Sequence, residues 1–277
     1  MRKRIWIRRI LRIIAFCSIT IIILGIVFNQ LVFKLLIGVG SIDLNYGNNE
    51  RGNSIMEFAL SNIKNPRGNV YHAISVQNTK NGNYDIAISA LEKAYKMNPN
   101  EVGAYYGWVL LYYYHEYKKA LIILNKYDDL TPNFSDYPVG ECIHYLKGLA
   151  YKELGDLDQA LIEFDLSVKY ALDEHNESWI DYQIFLNRGI TLLHLNKNEK
   201  AIEEFERVIE NYKECSEAYY FKGLALANLN EKEKTCKSLN KSLELIKLGY
   251  KSSDSYVELF HEIYEQDIIE AISKNCN

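Results

Sequence analysis

Three of the chain's four prolines, Pro66, Pro99 and Pro132, follow one another at intervals of 33 residues. A chain that repeats at such a period folds as stacked supersecondary units, each too small to bury its own apolar face. Around the prolines a small residue recurs at Ala87, Ala120, Ala160, Ala201 and Thr235. Each is followed four residues later by a bulky one: Leu91, Leu124, Phe164, Phe205 and Leu239. Residues four apart share one face of a helix. Upstream lies a second helical pattern that carries Gly148, Gly189 and Gly223. A mid-helix glycine costs about 1 kcal/mol against alanine, so its recurrence predicts a neighbouring helix too close for a side chain. Between the two helices comes a turn, clearest at Leu154-Gly155-Asp156, where glycine supplies the positive φ that ends the first helix.

This pattern resembles the tetratricopeptide repeat, whose signature runs from an aromatic through a Leu-Gly pair and a Tyr to an Ala, a Phe and a closing Pro. The best copy spans residues 145–170, with Gly148, Tyr151, Gly155, Ala160 and Phe164 in place. Five copies fit, at 68–100, 101–133, 141–171, 179–213 and 216–249. The first has Ser75 at the glycine position and the last has Thr235 at the alanine position. The second, aligned on Tyr105 and Val109, reads as one residue short at Tyr114-His115. Extra length near 133–140 and 172–178 falls between copies, where surface loops absorb it. The resemblance implies an all-α, right-handed solenoid of five helix pairs over 67–251. Residues 252–277 form a capping helix, with Val257, Phe260, Tyr264, Ile268 and Ile272 on one stripe.

Charge is unevenly placed. Seven of the 32 Lys and Arg residues lie within the first 40 positions, which hold no acid, leaving 25 bases against 36 acids in the remainder. A repeat domain this acidic repels phosphate backbones, so nucleic acid is not an expected partner. Residues 1–12 are a basic segment, and 13–28 carry no charge. With Asn29, Gln30 and Lys34 tolerated, the apolar stretch reaches Ile37. Sixteen residues fall short of the ~20 that cross a bilayer, but snorkelling flanks extend them. The reading is a single transmembrane helix at 13–37 with its basic N-terminus in the cytoplasm and the repeats on the far side, as in a bacterial inner membrane facing the periplasm. A cleaved signal releasing a secreted protein is the alternative, although no A-x-A-like site closely follows Phe28. Residues 41–66 read as a Gly- and Asn-rich linker, with a partial helix marked by Ile55, Phe58, Ala59 and Ile63.

No C-x-x-C, P-loop or G-x-S-x-G is present. His115-Glu116 and His261-Glu262 begin like a zinc-protease motif, but Lys119 and Glu265 stand where the second histidine belongs. The expectation is no catalytic residue, metal or cofactor, and no enzyme. Four cysteines lie outside the apolar run: Cys142, Cys215, Cys236 and Cys276. Cys236 and Cys276 form the pair for a disulfide if the terminal segment bends near 265–267. Buried free thiols are the other reading.

In the family, one face of the first helices lines a concave surface that takes peptides. The residues three before, one after and four after each glycine share that face. Here it holds Tyr145, Leu149 and Lys152, then Leu186, Ile190 and Leu193, then Tyr220 and Leu224. The second copy adds Tyr106, Leu110 and Tyr113. This aromatic and aliphatic groove suits an apolar peptide, an amphipathic helix or part of the protein's own chain. The function expected is a non-catalytic, membrane-anchored scaffold that docks partner proteins or peptides. The alternatives are a small-molecule or glycan-binding accessory to an enzyme or transport system, and a self-assembling structural repeat protein.

Overall fold

The computed structural model describes residues 2–64, 66, 68–132, 134–174, 180–254 and 257–276, without the side chains of 2–15, 17, 21–24, 26 and 27 in the first helix. Among the described residues all regular secondary structure is helical, with no strand. It divides into two compact units, 1–102 and 103–277.

The first unit is built from α1 (Arg2–Asn45), α2 (Asn49–Asn62), α3 (Gly68–Lys80) and α4 (Tyr84–Met97). In the α3–α4 pair, Ser75 is followed at offsets of 7, 12 and 16 by Gly82 with φ of 75°, then Ala87, then Leu91. The same offsets run through α1 and α2 as Gly40, Gly47 with φ of 78°, Gly52 and Met56. The reason is steric. A Cβ on Gly40 would lie 2.6 Å from Met56 Cγ and 2.9 Å from the Gly52 carbonyl oxygen, so the two helices cross at a distance that admits no side chain. Leu44, Met56, Ile74 and Ala90 then close one apolar cluster, with Ile37, Leu60 and Val70 against it. Within the expected linker at 41–66, α2 is therefore the second helix of a first helix pair, and residues 41–45 end its first helix. Among the described residues six pairs are present where five were expected.

The end of the expected span belongs to that pair as well. Gln30 donates to the Asn62 carbonyl and accepts from the Lys64 amide, and Phe33 meets Phe58 edge-on at 6.1 Å. Residues 30–37 thus pack on α2. Among the described residues no helix is long and apolar enough to cross a membrane. Most side chains of the uncharged run 13–28 lie outside the described residues.

The second unit takes in most of α5 (Pro99–Tyr112) and then α6 (Tyr117–Asp128), α7 (Ile143–Glu153), α8 (Leu157–Glu174), α9 (Tyr182–His194), α10 (Asn198–Asn211), α11 (Ser216–Asn228), α12 (Lys232–Lys247) and α13 (Glu265–Cys276). Here the offsets recur from Gly148, Gly189 and Gly223. A Cβ at Gly148 would lie 2.6 Å from Phe164 Cε1, at Gly189 2.6 Å from Phe205 Cε1, and at Gly223 2.7 Å from Leu239 Cδ2. The corresponding position in α5 is Gly107, 2.5 Å from Leu124 Cδ2, and not Val109. This pair is one residue long rather than one short. The extra residue widens the end of α5, where the Tyr114 amide bonds Val109 O and the Glu116 amide reaches Leu110 O, six residues back. The equivalent bond elsewhere, Asp156 to Tyr151 O, reaches back five. The insert before α7 is a loop with a short 3₁₀ turn, Pro138–Gly140. The insert at 172–178 lies largely outside the described residues.

Candidate binding groove

Moving the second copy's register by two residues changes which α5 side chains belong to the predicted face. Tyr106 and Leu110 are buried, and the Lys119 ammonium of α6 lies 5.4 Å from the Tyr106 ring centroid. The residues that meet the groove are Trp108 and Tyr112. Trp108 Nε1 and Tyr112 Oη each donate at 2.8 Å to the carboxylate of Glu141, which enters from the loop before α7. Burial raises the Glu141 carboxyl above its ordinary value, against the two donors that hold it down. Tyr113 packs edge-on against Trp108 at 5.5 Å.

On α7 and α9 the expected residues come together as a buried polar knot within an apolar wall. Leu149, Leu186, Ile190 and Leu193 supply the wall. Lys152 Nζ donates to Asn187 Oδ1 at 2.8 Å, which fixes that amide, because an ammonium can only donate. Asn187 Nδ2 then faces Tyr145 Oη at 3.1 Å, the Gln183 carbonyl at 3.0 Å and His261 Nδ1 at 3.3 Å. Burial pushes the Tyr145 hydroxyl well up and the Lys152 ammonium down. Asn187, one residue beyond Leu186, is a further groove residue that sequence reading missed, as it missed Trp108 and Tyr112. It sits two residues before the glycine, where the three-four spacing does not look.

Over this face lies the chain's own C-terminal segment. A single helix was expected from 252, but α13 starts at Glu265, and residues 257–264 are not helical. Local side-chain bonds replace the helical ladder. Glu262 Oε1 accepts from the Leu259 amide, Glu262 Oε2 accepts from Lys251 Nζ at 2.6 Å, and Asp267 accepts from the Tyr264 amide at 2.7 Å. The first of these competes directly with helix, and the last is the bond from the third helical residue to the N-cap that starts α13. Leu259, His261 and Ile263 are buried while Glu258 and Tyr264 are exposed, and a turn through residues 260 and 261, with the Glu262 amide bonded to Leu259 O, brings Phe260 to the groove as well. Phe260 stacks on Tyr112 at 5.2 Å, with His115 and Tyr117 each at 6.1 Å and Lys152 Nζ 5.9 Å from its centroid. His261 is buried, and its Nε2 has no hydrogen-bond partner among the described residues. Burial first, and the Lys152 charge second, depress its pKa from 6.5 to about 3.

The segment is held at both ends. The Ser252 amide donates to Glu217 Oε1 at 2.8 Å, and α13 is joined to α12 by a disulfide between Cys236 and Cys276, with Cα atoms 5.6 Å apart. Cys142 and Cys215 are buried free thiols. Beneath α13 the face stays open: Leu193, Tyr220 and Leu224 line a cleft of about 550 Å³, with Asp267, Glu270 and Lys274 opposite. A larger cleft of about 950 Å³ lies across α10, α11 and α12. Its Lys222, Glu206, Lys241 and Glu244 pair with one another as exposed ion pairs and converge on nothing.

Profiles of the tetratricopeptide repeat match residues 69–101, 143–174 and 186–234. Those three segments match tetratricopeptide repeats. Solved structures with this fold include the MamA protein, at 21% identity over 68% of this chain and 97% of that one with a TM-score of 0.54. PilW, described as a type IV pilus biogenesis factor, covers 78% and 94% at 12% identity with a TM-score of 0.58. YrrB, described as a TPR protein with an unusual peptide-binding site, covers 64% and 84% at 20% identity with a TM-score of 0.50. At these identities the likeness is one of fold. Comparison with curated protein sequences gives no match.

Proposed function

We propose that this TPR chain is a non-catalytic scaffold that docks a protein or peptide partner on the first-helix face of its second unit, and that its N-terminal helix anchors it in a membrane. The observation that carries the docking reading is the occupancy of that face. Residues 257–264 lie on it as a turn of chain, with Leu259, His261 and Ile263 buried and Phe260 stacked on Tyr112, so the face already holds a peptide segment. The aromatic and aliphatic wall, with Lys152 and Asn187 as its polar centre, offers the few placed polar groups that orient a ligand in an apolar site. The peptide-binding site described for YrrB agrees with this reading.

Anchoring rests on the uncharged run 13–28 behind six basic residues, in a helix continuous from Arg2 to Asn45. On this reading the first helix pair begins where the span ends, and the repeats stand beyond the membrane without a tether. A reporter active only in the cytoplasm, fused after Asn277, is silent on this topology. Strong activity would reverse it.

The docking reading is tested by a photo-crosslinking residue at Leu224 in the open cleft, compared with one at Lys237 on the outer helices, in intact cells. Discrete protein adducts are expected from Leu224 only. Adducts of the same proteins from Lys237 alone would move the recognition surface to the outer face.

A further inference from the structure

The segment on the groove has the features of a ligand held in place rather than of core. Its turn is closed by its own groups, since the Glu262 amide donates to Leu259 O and the Glu262 side chain accepts from the Leu259 amide. Toward the groove it presents four side chains, Leu259, Phe260, His261 and Ile263, and one side-chain hydrogen bond, from Asn187 to His261. It keeps its place through covalent ties at both ends. One is continuity with α12 and the other is the Cys236–Cys276 bond, which spans 40 residues and pins α13 beside α12. A tethered segment competes as an intramolecular ligand at high effective concentration, and loosening one tether lowers that concentration.

We propose that residues 257–264 are a resident occupant standing in for a partner peptide, and that opening the Cys236–Cys276 disulfide lets that partner displace it. The inference rests on the docking reading above. The occupant states the partner's chemistry. The partner is a peptide with a phenylalanine for the Tyr112, His115, Tyr117 and Lys152 cage, apolar neighbours one before and three after it, and an acid two after it to close the turn. The opening step is exchange with an external dithiol. One thiolate attacks the Cys236–Cys276 bond to give a mixed disulfide, and the second closes the reagent to its cyclic disulfide. Two electrons and two protons pass to the protein as two thiols. Cys142 and Cys215 are already thiols and take no part.

The test uses the full chain in detergent and a fluorescein-labelled synthetic peptide with the sequence of residues 257–264. Peptide binding is read by polarisation and departure of the resident segment by hydrogen exchange, with and without dithiothreitol and in Cys276→Ser. The oxidised chain should ignore the peptide. Reduction, or Cys276→Ser, should raise exchange at 257–264 and tighten peptide binding at least tenfold, and Tyr112→Ala should abolish that gain. Equal binding to oxidised and reduced chain, or exchange unmoved by reduction, overturns the disulfide gate. In that event Phe260→Ala, which empties the cage, decides the docking reading separately. Peptide capture by that variant keeps the groove as a docking site. Failure of every form to capture the peptide, once exchange shows that the segment has left, overturns the docking reading and the partner chemistry together.

Discussion

Asn187 Nδ2 donates to His261 Nδ1 at 3.3 Å across 74 residues of chain, and this fixes the protonation state of the docked segment. With Nδ1 accepting, the imidazole is neutral and its proton sits on the buried Nε2. A second proton would have to face the Asn187 N–H donor. The charged groups around it are the Lys152 ammonium from α7, which opposes protonation, and Glu262 in its own turn, which favours it weakly. The docked pKa of about 3 lies below the free value of 6.5, so docking draws stability from His261 above pH 6.5 and loses it as pH falls toward 3. Between pH 7.5 and 5.5 the protection factors of 257–264 should drop about tenfold, one decade per unit below 6.5. His261→Gln should flatten that dependence, and an unchanged slope in the variant would assign it to another group.

Gly38 and Gly40 sit two residues apart in α1 with opposite expectations. A Cβ on Gly38 meets nothing within 4 Å, whereas one on Gly40 meets Met56 and the Gly52 carbonyl. Gly38→Ala should be neutral or stabilise by up to about 1 kcal/mol through helix propensity. Gly40→Ala should cost about 1–3 kcal/mol by overpacking. Thermal unfolding of the two variants decides whether α1 and α2 form a repeat pair.

That pair shows why part of the fold was hidden from sequence reading. Gly148 and Gly189 announce themselves because Phe164 and Phe205 follow at a fixed offset, and the closing Ala160 and Ala201 complete the pattern. Gly40, Gly47, Gly52 and Met56 keep the offsets but lack the alanine and the aromatic, and they adjoin an apolar run that suggests a membrane span. In α5 a single inserted residue at the helix end moved the apparent register from Gly107 to Val109, and with it Tyr106 and Leu110 displaced Trp108 and Tyr112. At the C-terminus two periodicities overlap. Val257, Phe260 and Tyr264 read as a helical stripe, while Leu259, His261 and Ile263 alternate. The structure follows neither: the bonds between Leu259 and Glu262 and the groove itself, neither of them visible as periodicity, hold the segment in a turn.

Lys147 links three helices. Its ammonium lies 2.9 Å from Asp128 of α6 and 3.0 Å from Glu163 of α8, and Glu163 also bonds His144 at 2.7 Å. Lys147 is buried, so its removal leaves two carboxylates facing each other with little solvent. Lys147→Met should cost about 3 kcal/mol, in the range for breaking one side of a buried pair. Lys241→Met, which removes an exposed partner of Glu244, should leave the unfolding midpoint nearly unchanged. Equal effects in denaturant unfolding would show that the α6–α7–α8 cluster is no stronger than a surface pair.

Glu141 closes the end of the groove that holds Phe260, and its charge works against its hydrogen bonds. Burial raises its carboxyl above 4.5 despite the Trp108 and Tyr112 donors. A raised acid contributes stability below its unfolded value and loses it as pH rises through the folded one, so at neutral pH the ionised group costs more than it returns. Glu141→Gln keeps an acceptor for one donor and removes the charge. It should leave stability at pH 7 unchanged or higher, and it should remove the part of the pH dependence that begins near 4.5. Glu141→Leu orphans both Trp108 Nε1 and Tyr112 Oη, each left unpaired at about 1–3 kcal/mol. The Leu variant should therefore unfold earlier than the Gln variant at pH 7, and because Tyr112 carries the Phe260 stack, exchange at 257–264 should rise with it. If Gln and Leu behave alike, Glu141 serves only to fill space, and the cage around Phe260 is positioned by packing alone.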